Sequence, residues 1–170
     1  MKHPLEFLPE KLRMPLLVFF FAAALVIALV FRFFDVPGGI VAYELAGSVK
    51  NAADLLKTWD EAARLKAAFG LGFDYLFMPV YALGISLWTL IAAGRHVGWL
   101  KSLGAVAGWG AFIAASFDAL ENVALWRILS RGAADPWPMV AAVCASVKFF
   151  FFFAGILVAL AAALRKAPSP

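Results

Sequence analysis

Cysteine and histidine are scarce in this chain of 170 residues: Cys144 is the single cysteine, and His3 and His96 are the two histidines. One cysteine excludes an internal disulfide and a Cys-x-x-Cys redox pair, and two isolated histidines exclude histidine-rich diiron and His-x-x-x-His zinc sites. Neither a metal nor a cofactor is therefore expected. Walker A, Gly-x-Gly-x-x-Gly and Gly-x-Ser-x-Gly sequences are also missing, which removes support for nucleotide binding and for the usual serine nucleophile. Charge is low as well, at 15 % of residues against about 25 % in soluble domains. The net charge of +4 comes from scattered Lys and Arg outside the apolar runs. With no basic stripe to track phosphates, a nucleic-acid partner is excluded.

What fills the chain instead is apolar: 64 % of residues are hydrophobic and the mean hydropathy is +0.87. A bilayer core of about 30 Å needs roughly 20 apolar residues in a helix. Four runs meet that length, at about 14–34, 71–94, 103–129 and 138–164. The expected fold is an all-α, four-transmembrane-helix bundle forming a single membrane domain over 1–170. The first run is too long for a signal-peptide core and is followed by Arg-Phe-Phe-Asp-Val-Pro without a small-x-small cleavage site, so it reads as a retained anchor.

Between the first two runs, residues 40–68 are too polar to span. Pro37-Gly38-Gly39 breaks the chain, and from Ser48 onward Leu55, Leu56, Trp59, Ala62, Ala63 and Phe69 recur near helical spacing between charged positions. Asp60 with Arg64, and Lys57 with Glu61, have the i,i+4 spacing of exposed helix pairs. The pattern predicts one amphipathic helix lying on the membrane or over the helix ends, the alternative being a solvated connecting helix. Lys and Arg divide evenly between the two sides, but the basic residues of the long connection are balanced by acids, which favours both termini in the cytoplasm.

Ionisable residues inside apolar runs cost roughly 2.5–3.5 kcal/mol each at the bilayer centre, so they mark functional positions by default. Asp118, Glu121 and Asn122 form Asp-x-x-Glu-Asn on the third run, an i, i+3, i+4 spacing that shares one helical face. Asp74 and Tyr81 share a face of the second run, and Cys144 and Lys148 a face of the fourth. In an up-down-up-down bundle all these charges fall in one half of the bilayer, the half adjoining residues 40–66. Asp74, Tyr81, Asp118, Glu121, Asn122 and Lys148 are thus the expected ligand-binding residues. Asp118, Glu121 and Lys148 are also the candidates for catalysis. Three acids against one lysine leave negative charge uncompensated unless an acid holds its proton, Arg32 reaches in, or a cation binds. The simpler alternative is a polar lock that only ties the helices together.

Other features weigh less. Gly104-x-x-x-Gly108 permits close helix contact, Cys144 reads as a small packing residue, and Trp109 lies too deep for an interfacial belt. Trp59 with its charged stretch, Asp74-Tyr75-Leu76-Phe77 with Tyr81, Asp118-x-x-Glu121-Asn122 and Lys148-Phe149, spanning about 44–155, resemble a set of small bacterial four-helix integral membrane proteins without an assigned activity. The resemblance implies a multi-pass protein of the bacterial inner membrane and transfers no functional residue. Neither the aspartate pattern of CDP-alcohol transferases nor the arginine/histidine signature of membrane phosphatases is present.

These observations support a small polytopic membrane protein with a buried carboxylate/lysine pocket that binds an amphiphilic or lipid-like ligand. Membrane lipid is the expected partner, with helix-mediated homo- or hetero-oligomers a further expectation. Two alternatives stay open: an accessory subunit or assembly factor of a larger membrane complex, and a membrane enzyme using Glu121 or Asp118 as acid/base beside Lys148. Nothing polar continues through the other half of the runs, which disfavours a proton or cation pathway.

Overall fold

The computed structural model describes residues 1–166, so residues 167–170 of the expected 1–170 domain lie outside the described residues. It is all-helical, 81 % helix, with no strand among the described residues. Six α-helices follow in order: α1 (Glu10–Phe31), α2 (Ile40–Glu44), α3 (Val49–Lys57), α4 (Glu61–Gly94), α5 (Trp99–Arg131) and α6 (Trp137–Leu164), with a 3-10 turn over Arg32–Phe34 after α1. Four of them, α1, α4, α5 and α6, are long and apolar enough to cross a membrane. At 34 and 33 residues, α4 and α5 are about 50 Å long, well beyond the roughly 30 Å of a hydrocarbon core. Their polar ends, Glu61–Lys66 and Arg127–Arg131, supply about 9 and 8 Å of that excess.

The stretch 40–68 is not one helix. Tyr43 and Glu44 belong to the five-residue α2, whose flanking glycines, Gly39 at φ +80° and Gly47 at φ +67°, occupy the left-handed region that other residues enter at about 1–2 kcal/mol. Ser48 then starts α3, its hydroxyl accepting the Asn51 N–H at 3.2 Å. A second break comes at Thr58–Asp60, and residues 61–68 are already the first turns of α4. The charges expected to pair at i,i+4 are spent on this break. Asp60 accepts the Ala63 N–H at 2.8 Å and caps α4, while the Arg64 guanidinium turns back to donate to the carbonyls of Leu56, at 2.9 Å, and Trp59, at 3.4 Å. Lys57 pairs with Asp54 at 2.8 Å rather than with Glu61. A helix end offers orphan carbonyls and N–H groups that bind side chains more strongly than an exposed i,i+4 pair does.

The chain divides into two compact units whose borders fall inside the long helices. Of the described residues, the first comprises 1–24, 79–115 and 149–166. In it the N-terminal segment packs against α4 and α5. His3 Nε2 lies 3.1 Å from Thr89 Oγ1 and its ring rests against Gly108, while the Trp109 indole donates to the Lys2 carbonyl at 3.1 Å. Trp109 is thus explained by an internal hydrogen bond. Of the two glycines in the Gly-x-x-x-Gly pair, Gly104 lets α5 approach Ala93 of α4, whereas Gly108 makes room for an imidazole.

The second unit comprises residues 25–78 and 116–148. Its apolar core is built from Tyr43, Leu56, Trp59, Leu71, Leu125 and Ile128 with small alanines between them. Two hydrogen bonds hold the short helices onto it. The Tyr43 hydroxyl donates to the Leu125 carbonyl at 2.8 Å, and the Trp59 indole donates to the Pro37 carbonyl at 2.8 Å. Burial with a satisfied polar tip is the arrangement that makes these aromatics net stabilising.

Candidate functional site

The polar residues of α5 and α6 meet in the second unit. Lys148 is 7 % exposed and Glu121 is fully buried, so both charges must find partners in the protein. Lys148 Nζ lies 3.0 Å from Asp118 Oδ1, 3.0 Å from Glu121 Oε1 and 2.8 Å from Glu121 Oε2. A third carboxylate approaches from α2, with Glu44 Oε1 at 3.6 Å. One ammonium, with three N–H donors, therefore sits among three carboxyl groups.

A fourth acid is joined through an amide. Asn122 Nδ2 donates to Asp74 Oδ2 at 2.9 Å and to the Leu71 carbonyl at 3.2 Å, tying α5 to α4. Asp118, Glu121, Asn122, Asp74 and Lys148 thus lie in one unit, as two linked sets: three acids around Lys148, and the Asp74–Asn122 pair. Tyr81 falls in the other unit, where its ring stands edge-on to Phe152 at 5.2 Å between centroids. Arg32 is exposed and does not enter as a counter-charge.

Glu44 is the residue that the apolar runs do not point to, since it lies outside all of them. Its sequence signal is a missing partner. Asp54, Asp60 and Glu61 each have Lys or Arg three or four positions away, whereas Glu44 has none. Burial raises its carboxyl above the ordinary carboxylate range, against the opposing pull of Lys148. Glu44 Oε2 is buried without a hydrogen-bond donor, and the Glu121 carboxyl lies within hydrogen-bonding reach of the Glu44 side chain. Two ionised carboxylates cannot bond to each other; a proton held between Glu44 and Glu121 would satisfy that oxygen and reduce the excess charge.

Among the described residues, no group of three or more His, Cys, Asp or Glu is arranged to hold a metal. Beside the polar centre runs an open groove of about 740 Å³, lined by Leu71, Gly72 and Tyr75 of α4 and by Asn122, Trp126 and Arg127 of α5. Tyr75 bridges the two helices by donating from its hydroxyl to the Ala119 carbonyl at 3.2 Å. Asn122 belongs to both features, facing the groove and holding Asp74.

No protein-family model matches the chain, and no curated protein or solved structure matches it either.

Proposed function

We propose that this chain is a small integral membrane protein that crosses the bilayer four times, with α2 and α3 lying at one interface, and that it binds an amphiphile in the groove between α4 and α5. Supporting the membrane reading are the outward faces of the long helices. Phe19, Leu25, Val26 and Leu29 of α1 are all more than half exposed, a surface that water does not tolerate and lipid does.

The observation that carries the binding reading is the position of Asn122. A largely apolar groove of ligand size meets a charged centre at this single side chain, which fits a molecule with an apolar tail and a polar head. The excess of acid around Lys148 makes the centre proton-labile, so binding would respond to pH. An enzyme using Asp118 or Glu121 as acid/base has less support, because both carboxylates direct oxygens at Lys148 rather than at the groove.

Gly72 gives the test. A Cβ added there meets no atom within 4 Å, so Gly72→Leu fills the groove without disturbing the helices. Native mass spectrometry of protein purified in mild detergent should show an amphiphile retained by the wild type and lost from Gly72→Leu at unchanged melting temperature. Equal retention by both proteins would sink the reading.

A further inference from the structure

We infer that the occupant of this groove is a phospholipid of net negative charge, its phosphate held by Arg127 and Arg131 and one acyl chain laid along Val123 and Gly72. The inference rests on the amphiphile-binding reading and names the ligand class. On α5 the groove wall follows a helical stripe: Asn122, Val123, Trp126, Arg127, Ser130 and Arg131 recur at spacings of three and four. Both arginines stand at one end of that stripe, and the apolar Val123 lies about 12 Å back along the helix from Arg131. Head and tail are thereby given separate places.

Charge complementarity selects the head group. Neither Arg127 nor Arg131 has a carboxylate within ion-pair distance among the described residues. Arg127 is also positioned: its guanidinium lies over the Trp137 ring at 4.6 Å from the centroid. Stacking holds the planar group by its face and leaves the edge N–H donors free, the geometry that accepts a phosphate in bidentate fashion. Ser130 in the same wall adds a hydroxyl at head-group level, though it currently donates to the Trp126 carbonyl at 2.7 Å. A positively charged amphiphile would meet two unneutralised arginines there.

Trp126 lines the groove and reports on it. The full chain is reconstituted in phosphatidylcholine vesicles with increasing fractions of brominated phosphatidylglycerol or brominated phosphatidylcholine, and the quenching lost in Trp126→Phe is taken as the groove signal. Juxtamembrane arginines are each worth about a fivefold preference for anionic lipid, so the pair should favour phosphatidylglycerol roughly 25-fold. Arg127→Gln with Arg131→Gln should abolish that preference while quenching by both lipids remains. Lys50→Gln with Lys57→Gln, which removes exposed charge elsewhere in the same unit, should retain it. Equal quenching by the two lipids, or a preference that follows the lysines instead of the arginines, would overturn the head-group assignment. If Gly72→Leu leaves Trp126 quenching by both lipids unaltered, it is the groove reading that fails.

Discussion

Glu44 of α2 stands 3.6 Å from the ammonium of Lys148 in α6, and it reaches that position because Tyr43, the residue before it, is pinned by its hydroxyl to the Leu125 carbonyl. A five-residue helix at the edge of the apolar runs thus delivers a third acid to a lysine already shared by Asp118 and Glu121.

Removing the shared cation should be the most damaging change. Lys148→Ala leaves three carboxyl groups around an empty position, and stranding buried charge in this way costs about 3–5 kcal/mol. The expected outcome is loss of folded protein, read by size-exclusion chromatography and thermal unfolding in detergent. Lys148→Met combined with Asp118→Asn and Glu121→Gln should recover most of that loss. A triple variant no better than Lys148→Ala would show that packing, and not charge, sets the requirement.

Glu44 should make stability fall as pH rises. Its carboxyl is raised above the ordinary 4.5 by burial, so its contribution is fully present below that value and is lost as pH climbs through the raised folded value. Glu44→Gln keeps an acceptor for Lys148 and supplies an N–H toward Glu121 where the shared proton would sit. Melting temperatures recorded from pH 4 to 9 should therefore decline less steeply for the variant. Above neutrality it should match or exceed the wild type by about 2–4 °C, the shift expected for roughly 1 kcal/mol. Parallel profiles for the two proteins would rule out Glu44 as the titrating group.

His3 predicts a separate, opposite pH response at the N-terminal segment. Desolvation against α4 and α5 lowers it from 6.5 to about 4, opposed by Glu6 and reinforced by Arg13. A depressed value means that docking is fully favoured above pH 6.5 and is lost as pH falls through about 4. A spin label on the exposed Phe7→Cys position, in a Cys144→Ala background, should be immobile at neutral pH and mobile in acid. The His3→Gln protein should show no such transition, and a wild-type label that stays immobile down to pH 4 would contradict the assignment.

The four crossings proposed for the chain fix an expected sidedness. Reporter fusions after residues 45, 98 and 134 should alternate in compartment, beginning on the non-cytoplasmic side. Two consecutive fusions on the same side would remove a crossing and separate α2 and α3 from the interface proposed for them.

Much of the second unit was legible because helical geometry is local. Long uncharged runs require helices, a period of 3.6 puts Asp118, Glu121 and Asn122 on one face, and the depth of each polar residue in its run follows from a rise of about 1.5 Å. Tyr81, two turns along from Asp74 on a shared face, belongs to the first compact unit, where its ring packs on Phe152. The same periodicity merged three elements into one amphipathic helix over 40–68, since the period survives a cap. Whether Asp60 pairs with Arg64 or starts a new helix depends on which backbone groups are left orphaned nearby.

By itself, then, the sequence determined that the chain is helical, that four of its helices are apolar over membrane-scale lengths, and which polar side chains those helices must shelter. Only the tertiary structure decided who meets whom. The entry of Glu44 depends on two glycines in the left-handed region and on a tyrosine hydrogen bond to a residue 82 positions away. The groove between α4 and α5 arises from two stripes that are unremarkable on their own helices. Contacts of that kind are set by how helices rotate and pack against one another, and rotation about a helix axis leaves no trace in the periodicity of either partner.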